Sequence, residues 1–200
     1  MFESDKMHSG ELYLPGDDAI AQAQQQALEK LYDYNHTRPS ERAKRQALLQ
    51  EMFATIGSDC YLEPPFHANW AGRFVHFGNH IYANFNLTLV DDTRIDVGDH
   101  VMFGPNVTLA TAAHPVLPAL REKEHQYNVP IKIGKNAWLG AGVVVLPGVS
   151  IGANTVIGAG SVVTKDIPAN VVAFGNPCEV HRPINKHDQT FYYKQRQISI

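Results

Sequence analysis

Several ingredients are scarce in this chain. Only two cysteines, Cys60 and Cys178, occur in 200 residues, which supports neither a disulfide framework nor a metal-site spacing. No stretch approaches the ~18 consecutive apolar residues that would read as a membrane-crossing helix. Charged residues make up 18% of the chain, the net charge is −3, and no basic block occurs. Nucleic acid and anionic membrane surfaces are therefore excluded as expected partners. The opening MFESDKMHSG has no apolar h-region, so no secretory signal is expected. Two reduced thiols in a cytoplasmic protein are then the simplest reading of the cysteines. Aromatic residues are not scarce: two Trp, eight Tyr and nine Phe offer too much burial for a disordered chain. The length fits one or two domains at about 150 residues each. The surplus lies in 15 Gly and 12 Pro, with no linker to account for them.

An internal period of six accounts for them. Residues 133–168 divide into IGKNAW, LGAGVV, VLPGVS, IGANTV, IGAGSV and VTKDIP. Aliphatic residues recur at Ile133, Leu139, Val145, Ile151, Ile157 and Val163. Four places after each stands a second small or branched residue, from Ala137 to Ile167. The pattern also holds earlier, at Phe77, Ala83 and Leu89 with Ile81, Leu87 and Thr93, and at Val97, Phe103 and Leu109 with Val101, Val107 and Ala113. Ala169 with Ala173 extends it to thirteen units. The +4 residue and the next aliphatic lie two apart, so they share one face of a short strand, and the remaining step turns a corner. Three such units make one coil of a triangular prism, stacked on the next at about 4.8 Å. Glycines after the aliphatic suit corners where a Cβ would clash or φ turns positive.

The register breaks twice. Leu89 to Val97 is eight residues instead of six, and Leu109 to Ile133 is 24. The second break expels a loop, 114–130, with His114 at its mouth, and long loops on a rigid scaffold favour function. Imidazole there suits a general base acting on an alcohol. Ahead of the repeats, residues 1–57 form a helical cap. One helix covers 18–34 with Ile20, Ala27, Leu28 and Leu31 along a stripe. A second, N-capped by Ser40, carries Leu48, Leu49, Met52, Phe53 and Ile56 to a stop at Gly57. The solenoid is expected over 58–184 and a polar tail over 185–200. Seven histidines (His8, His36, His67, His100, His125, His181 and His187) carry no positional warrant and read as surface. His76 and His80, four apart, with His114 as a third, suggest as a rival a zinc site of the kind that hydrates carbon dioxide. A catalytically silent scaffold is the remaining rival, and His114 in AAHP speaks against it.

The repeat resembles that of the hexapeptide-repeat acyltransferases, which implies a left-handed parallel β-helix. YANFNLTLVDD (82–92), PNVTL (105–109), AAHP (112–115), GAGSVVTKDIP (158–168), GNPC (175–178), GELY (10–13) and YNHTRPSE (34–41) are similar to the galactoside and maltose O-acetyltransferases over roughly residues 7–195. That resemblance implies acetyl-CoA as co-substrate, a sugar hydroxyl as acceptor and no metal. His114 matches the general base and Asn84 an acceptor contact that helps stabilise the transition state. Tyr82 and Asp92 match acceptor-binding positions, and Asn69 and Asp17 stand near two more. Pro15 follows Leu14 where the family's N-terminal aspartate is displaced. Ala141, Ala159, Thr164 and Lys165 match coenzyme A contacts, with the Ala141 N–H a donor to the developing oxyanion. Trp138 lines the same groove, Arg182 matches a phosphate-binding arginine, and Glu179 stands where the family often has another. Asn84 belongs to the Ala83 column and His114 to the Leu109 column, two different faces. The family's trimeric assembly would bring them together between subunits. The acceptor is expected to be galactoside-like, with maltose, glucose or another oligosaccharide as the alternative.

Overall fold

The computed structural model describes residues 3–199. Met1 and Phe2 of the opening segment and Ile200 of the tail lie outside the described residues. Three parallel sheets form the sides of a prism. The first face stacks Thr55–Ile56, Val75–Phe77, Ile95–Val97, Ile131–Ile133 and Ser150–Ile151. The second stacks Tyr61–Leu62, Tyr82–Ala83, Met102–Phe103, Trp138–Leu139, Val156–Ile157 and Val171–Gly175, with Cys178–Pro183 folded back antiparallel on its edge. The third stacks His67–Ala68, Thr88–Val90, Thr108–Ala110, Val144–Val145 and Val162–Val163.

The expected columns fill the interior. Ala83, Leu89, Leu109, Leu139, Val145, Ile157 and Val163 are all at 0% exposure. Corners separate two demands that the sequence merged. Glycines directly after the aliphatic are required by close approach: a Cβ on Gly140 would lie 2.7 Å from the Ala159 N. Positive φ falls two places later, at Asn136, Gly142, Gly148, Asn154 and Gly160, residues that tolerate the left-handed region.

Three column positions differ from expectation. Ala113 is only partly buried, because the chain has already left the prism: Ala112–Ala113 pairs antiparallel with Tyr127–Asn128. The interior place is closed by Thr111, whose hydroxyl donates to Val90 O at 2.7 Å and accepts the Thr93 N–H at 3.2 Å. Ala169 is exposed. The corner after Val163 is two residues short, so Ile167 pairs with Ile151. The Asp166 carboxylate accepts the Ser150 N–H at 2.7 Å. Ala173 shifts likewise, from the expected column of Thr155 to a place opposite Ile157.

Helix α1 (Glu3–Lys6) precedes two cap helices, α2 (Asp18–Asn35) and α3 (Arg42–Met52). Ile20, Leu31 and Tyr34 of α2 are buried, whereas Leu28 is 40% exposed. Glu41, not Ser40, precedes α3. Phe53 is extended and Ile56 already belongs to the first strand, so the apolar run that reads as one helical face is shared between a helix and a rung. Tyr34 Oη donates to Leu62 O at 2.7 Å, and Phe53 packs on Phe66 and Phe77, closing the open end of the prism. Such closure protects otherwise unpaired strand edges. Among the described residues, no helix is long and apolar enough to cross a membrane.

Candidate active site

The long excursion is a two-stranded ribbon, Ala112–Ala113 with Tyr127–Asn128, tipped by α4 (Pro118–Arg121). His114 follows the first ribbon strand and is exposed. Its Nδ1 lies 2.9 Å from the His125 carbonyl. A carbonyl only accepts, so Nδ1 carries the proton and the Nε2 lone pair is left basic. His125 is therefore more than surface decoration: it is partly buried, its own Nδ1 is enclosed without a partner, and its main chain sets the His114 tautomer.

Behind the ribbon lies a buried polar cluster. Asp92, 6% exposed, accepts Asn69 Nδ2 at 2.8 Å on one oxygen and Gln126 Nε2 at 3.4 Å on the other. Tyr13 Oη accepts both Gln126 Nε2 at 2.7 Å and Asn128 Nδ2 at 2.9 Å. Burial pushes the Tyr13 phenol up to about 12. Asn69 and Asp92 thus meet, while Tyr13, Gln126 and Asn128, which join them, escaped the sequence reading. Tyr13→Phe removes an oxygen that satisfies two buried amides. We expect a loss of about 1–3 kcal/mol, read as a lower denaturation midpoint.

Asp91 was missed as well. It is fully buried, and its two oxygens accept the Trp70 and Gly72 N–H groups, each at 2.8 Å. This holds a turn in which Ala71 and Gly72 have positive φ, next to Asn69. The eight-residue interval was the one available signal. Burial, opposed by the N–H bonds, lifts its carboxyl from 3.8 to about 7. The folded chain then retains a proton that the unfolded chain has released, so this group's contribution falls as pH rises from 3.8 to about 7. Asp91→Asn turns an NH₂ toward a backbone N–H. It should cost about 1–3 kcal/mol and remove that part of the pH slope, both readable by denaturation between pH 4 and 8.

Asp17 N-caps α2, accepting the Ala19 and Ile20 N–H groups. It also lines a recess with Gly16, Lys123 and Glu124 of the loop. Asn84 and Tyr82 lie on the second face. The Asn84 Oδ1 accepts the Phe85 N–H at 2.8 Å, and Tyr82 stacks parallel on Tyr61. Register aligns Tyr61, Tyr82, Met102 and Trp138 into one outward ladder of large, exposed side chains. Asn84 and His114 therefore sit on different sides of the chain.

Beyond Trp138, the corner presents bare main chain. Ala141, Ala159 and Gly160 are exposed, and a Cβ on Gly160 would meet nothing within 4 Å. Gly140 and Gly142 N–H are used in the rungs, whereas the Ala141 N–H takes no acceptor among the described residues. Thr164 and Lys165 are exposed at the next corner. This smooth ledge with an outward indole and an ammonium suits a slender polyanionic thioester arm. Lys165, however, is paired with Glu179 and Arg182 with Asp188. The three histidines of the zinc alternative do not converge. His76 bonds Thr55 on the first face, His80 stacks on His100 at a corner, and His114 hangs on the ribbon.

The coil and its bare corners define a hexapeptide-repeat transferase, and comparison agrees. Residues 130–165 match the bacterial transferase hexapeptide model of six repeats, and residues 6–57 the maltose acetyltransferase hexapeptide capping motif. Galactoside O-acetyltransferase of Lactococcus lactis subsp. lactis is 56% identical over 98% of this chain and 94% of its own. That of Escherichia coli is 45% identical over 98% and 96%. A galactoside acetyltransferase solved in complex with coenzyme A superposes with a TM-score of 0.96 at 44% identity, covering 100% of both chains. The chain belongs to the galactoside O-acetyltransferase family.

Proposed function

We propose that this chain is an acetyl-CoA-dependent O-acetyltransferase of sugars, working in the cytoplasm as a homotrimer with three sites shared between subunits. The observation that carries the chemistry is the His114 Nδ1 bond to the His125 carbonyl. It leaves Nε2 free to take the proton of an acceptor hydroxyl, whose oxygen attacks the thioester carbonyl directly. The same proton then returns to the departing coenzyme A sulfur, so no covalent acyl-enzyme is needed. The Ala141 N–H would donate to the oxyanion, and Trp138, Ala159, Thr164 and Lys165 would hold the donor. Asn69, Tyr82, Asn84, Asp92 and Asp17 would meet the acceptor, with the Asp17 Oδ1 also capping α2.

Geometry supports the trimer. Asn84 and His114 belong to different faces, and the Tyr82–Met102–Trp138 ladder leaves an apolar stripe beside Asn84 that a neighbour's ribbon would cover. Binding of coenzyme A is supported by the solved relative that holds it, and a galactoside acceptor by the names of the relatives. A thiol-release assay with acetyl-CoA across galactosides, glucosides and maltose tests the reading. Release with a galactoside upholds it, release only with maltose or glucosides shifts the acceptor, and release with none refutes it.

A further inference from the structure

The two cations expected at the phosphates of the donor already have partners within the chain. Arg182 forms a forked pair with Asp188, at 2.6 and 2.7 Å. Asp188 also accepts the Asn185 N–H at 2.9 Å in the capping box of α5 (Lys186–Thr190). That pair belongs to the local fold of the tail. Lys165 is different. Its Nζ lies 2.8 and 3.0 Å from the two oxygens of Glu179. It joins the corner after the third face to the strand Cys178–Pro183 folded back on the second. Both side chains are about 60% exposed, at 59% and 60%. An exposed pair of this kind contributes little to folding and opens readily. Whatever anion Lys165 then takes remains beside the Glu179 carboxylate, which competes for the ammonium and repels the newcomer.

We infer that Glu179 determines donor specificity: it counter-charges the phosphate end of the donor groove, so that affinity depends on the pantetheine arm more than on phosphate charge. The inference rests on the donor reading above. Any donor phosphate reaching Lys165 meets a site whose two side-chain charges sum to zero. A neutral amide at 179 would leave the ammonium uncompensated, and with an apolar group at 165 it would relieve only the direct repulsion of the anion.

Calorimetric titration of the intact protein with coenzyme A and, separately, with pantetheine, which carries no phosphate, tests this. Glu179→Gln should tighten coenzyme A about three- to tenfold, the effect of removing one like charge a few ångströms away in high dielectric, and leave pantetheine unchanged. The gain should shrink as salt is raised and become smaller in a Lys165→Met background, where only the direct repulsion by Glu179 is left to relieve. Unchanged coenzyme A affinity in Glu179→Gln, or an equal gain for pantetheine, would overturn the inference while leaving the donor reading intact. No binding of coenzyme A by the unaltered protein would refute the donor reading and this inference with it. Glu179 lies on the surface, so unchanged denaturation midpoints should accompany the affinity changes.

Discussion

His114→Ala should lower the turnover number by at least about 10²-fold, since loss of a positioned general base typically costs that much, with coenzyme A affinity nearly unchanged. The ring stands on the ribbon, apart from the Trp138–Ala141–Ala159 ledge, so its removal takes away a proton acceptor and little donor contact. The loss should therefore fall on the chemical step. Asparagine at 114 should not restore the rate. A side-chain amide can imitate the Nδ1–H donation to the His125 carbonyl but has no basic nitrogen to stand for Nε2. Calorimetry with coenzyme A beside steady-state thiol release separates the two effects. A His114→Ala protein of unaltered turnover would remove this residue from the mechanism.

Activity should reappear when two dead proteins are mixed. In the proposed trimer, His114→Ala and Asn84→Ala would each disable every site. If the site takes His114 from one subunit and Asn84 from the next, a random 1:1 mixed trimer pairs an intact histidine with an intact asparagine at about one site in four, from closed threefold symmetry. Co-expression or joint refolding should thus recover about a quarter of the unaltered activity, against parents reduced a hundredfold or more. Recovery no greater than the sum of the parents would place both residues in one subunit's site. The different faces of Asn84 and His114, one beside the second-face ladder and the other on the ribbon that leaves the third face, favour recovery.

The period of six was legible because it is a burial rule: every sixth side chain has only the interior to enter, and a glycine must follow where rungs nearly touch. Deviations from that rule were harder to read. A shortened corner at Thr164–Asp166 and a ribbon beginning at Ala112 look like continuing repeats, since Ala169 and Ala113 are the right kind of residue in nearly the right place. Likewise Phe53 and Ile56 continue the helical spacing of α3 although the chain there is extended. His114 stands out in the sequence because a break in a strict register is itself a signal.

The sequence by itself determined the coil, the position of the expelled loop, the histidine at its mouth and the small-residue corners, all of which depend on neighbours in the chain or on a fixed repeat. Only the tertiary structure decided the polar cluster of Tyr13, Asp92, Gln126 and Asn128, the clamp of Asp91 on Trp70 and Gly72, the tautomer of His114 and the pairing of Lys165 with Glu179. These depend on hydrogen bonds between groups distant in the chain, such as Tyr13 and Asn128, 115 residues apart. A hydrogen bond tolerates a distance error of only a few tenths of an ångström, and a residue's type and spacing carry no such information until the chain has been folded around it.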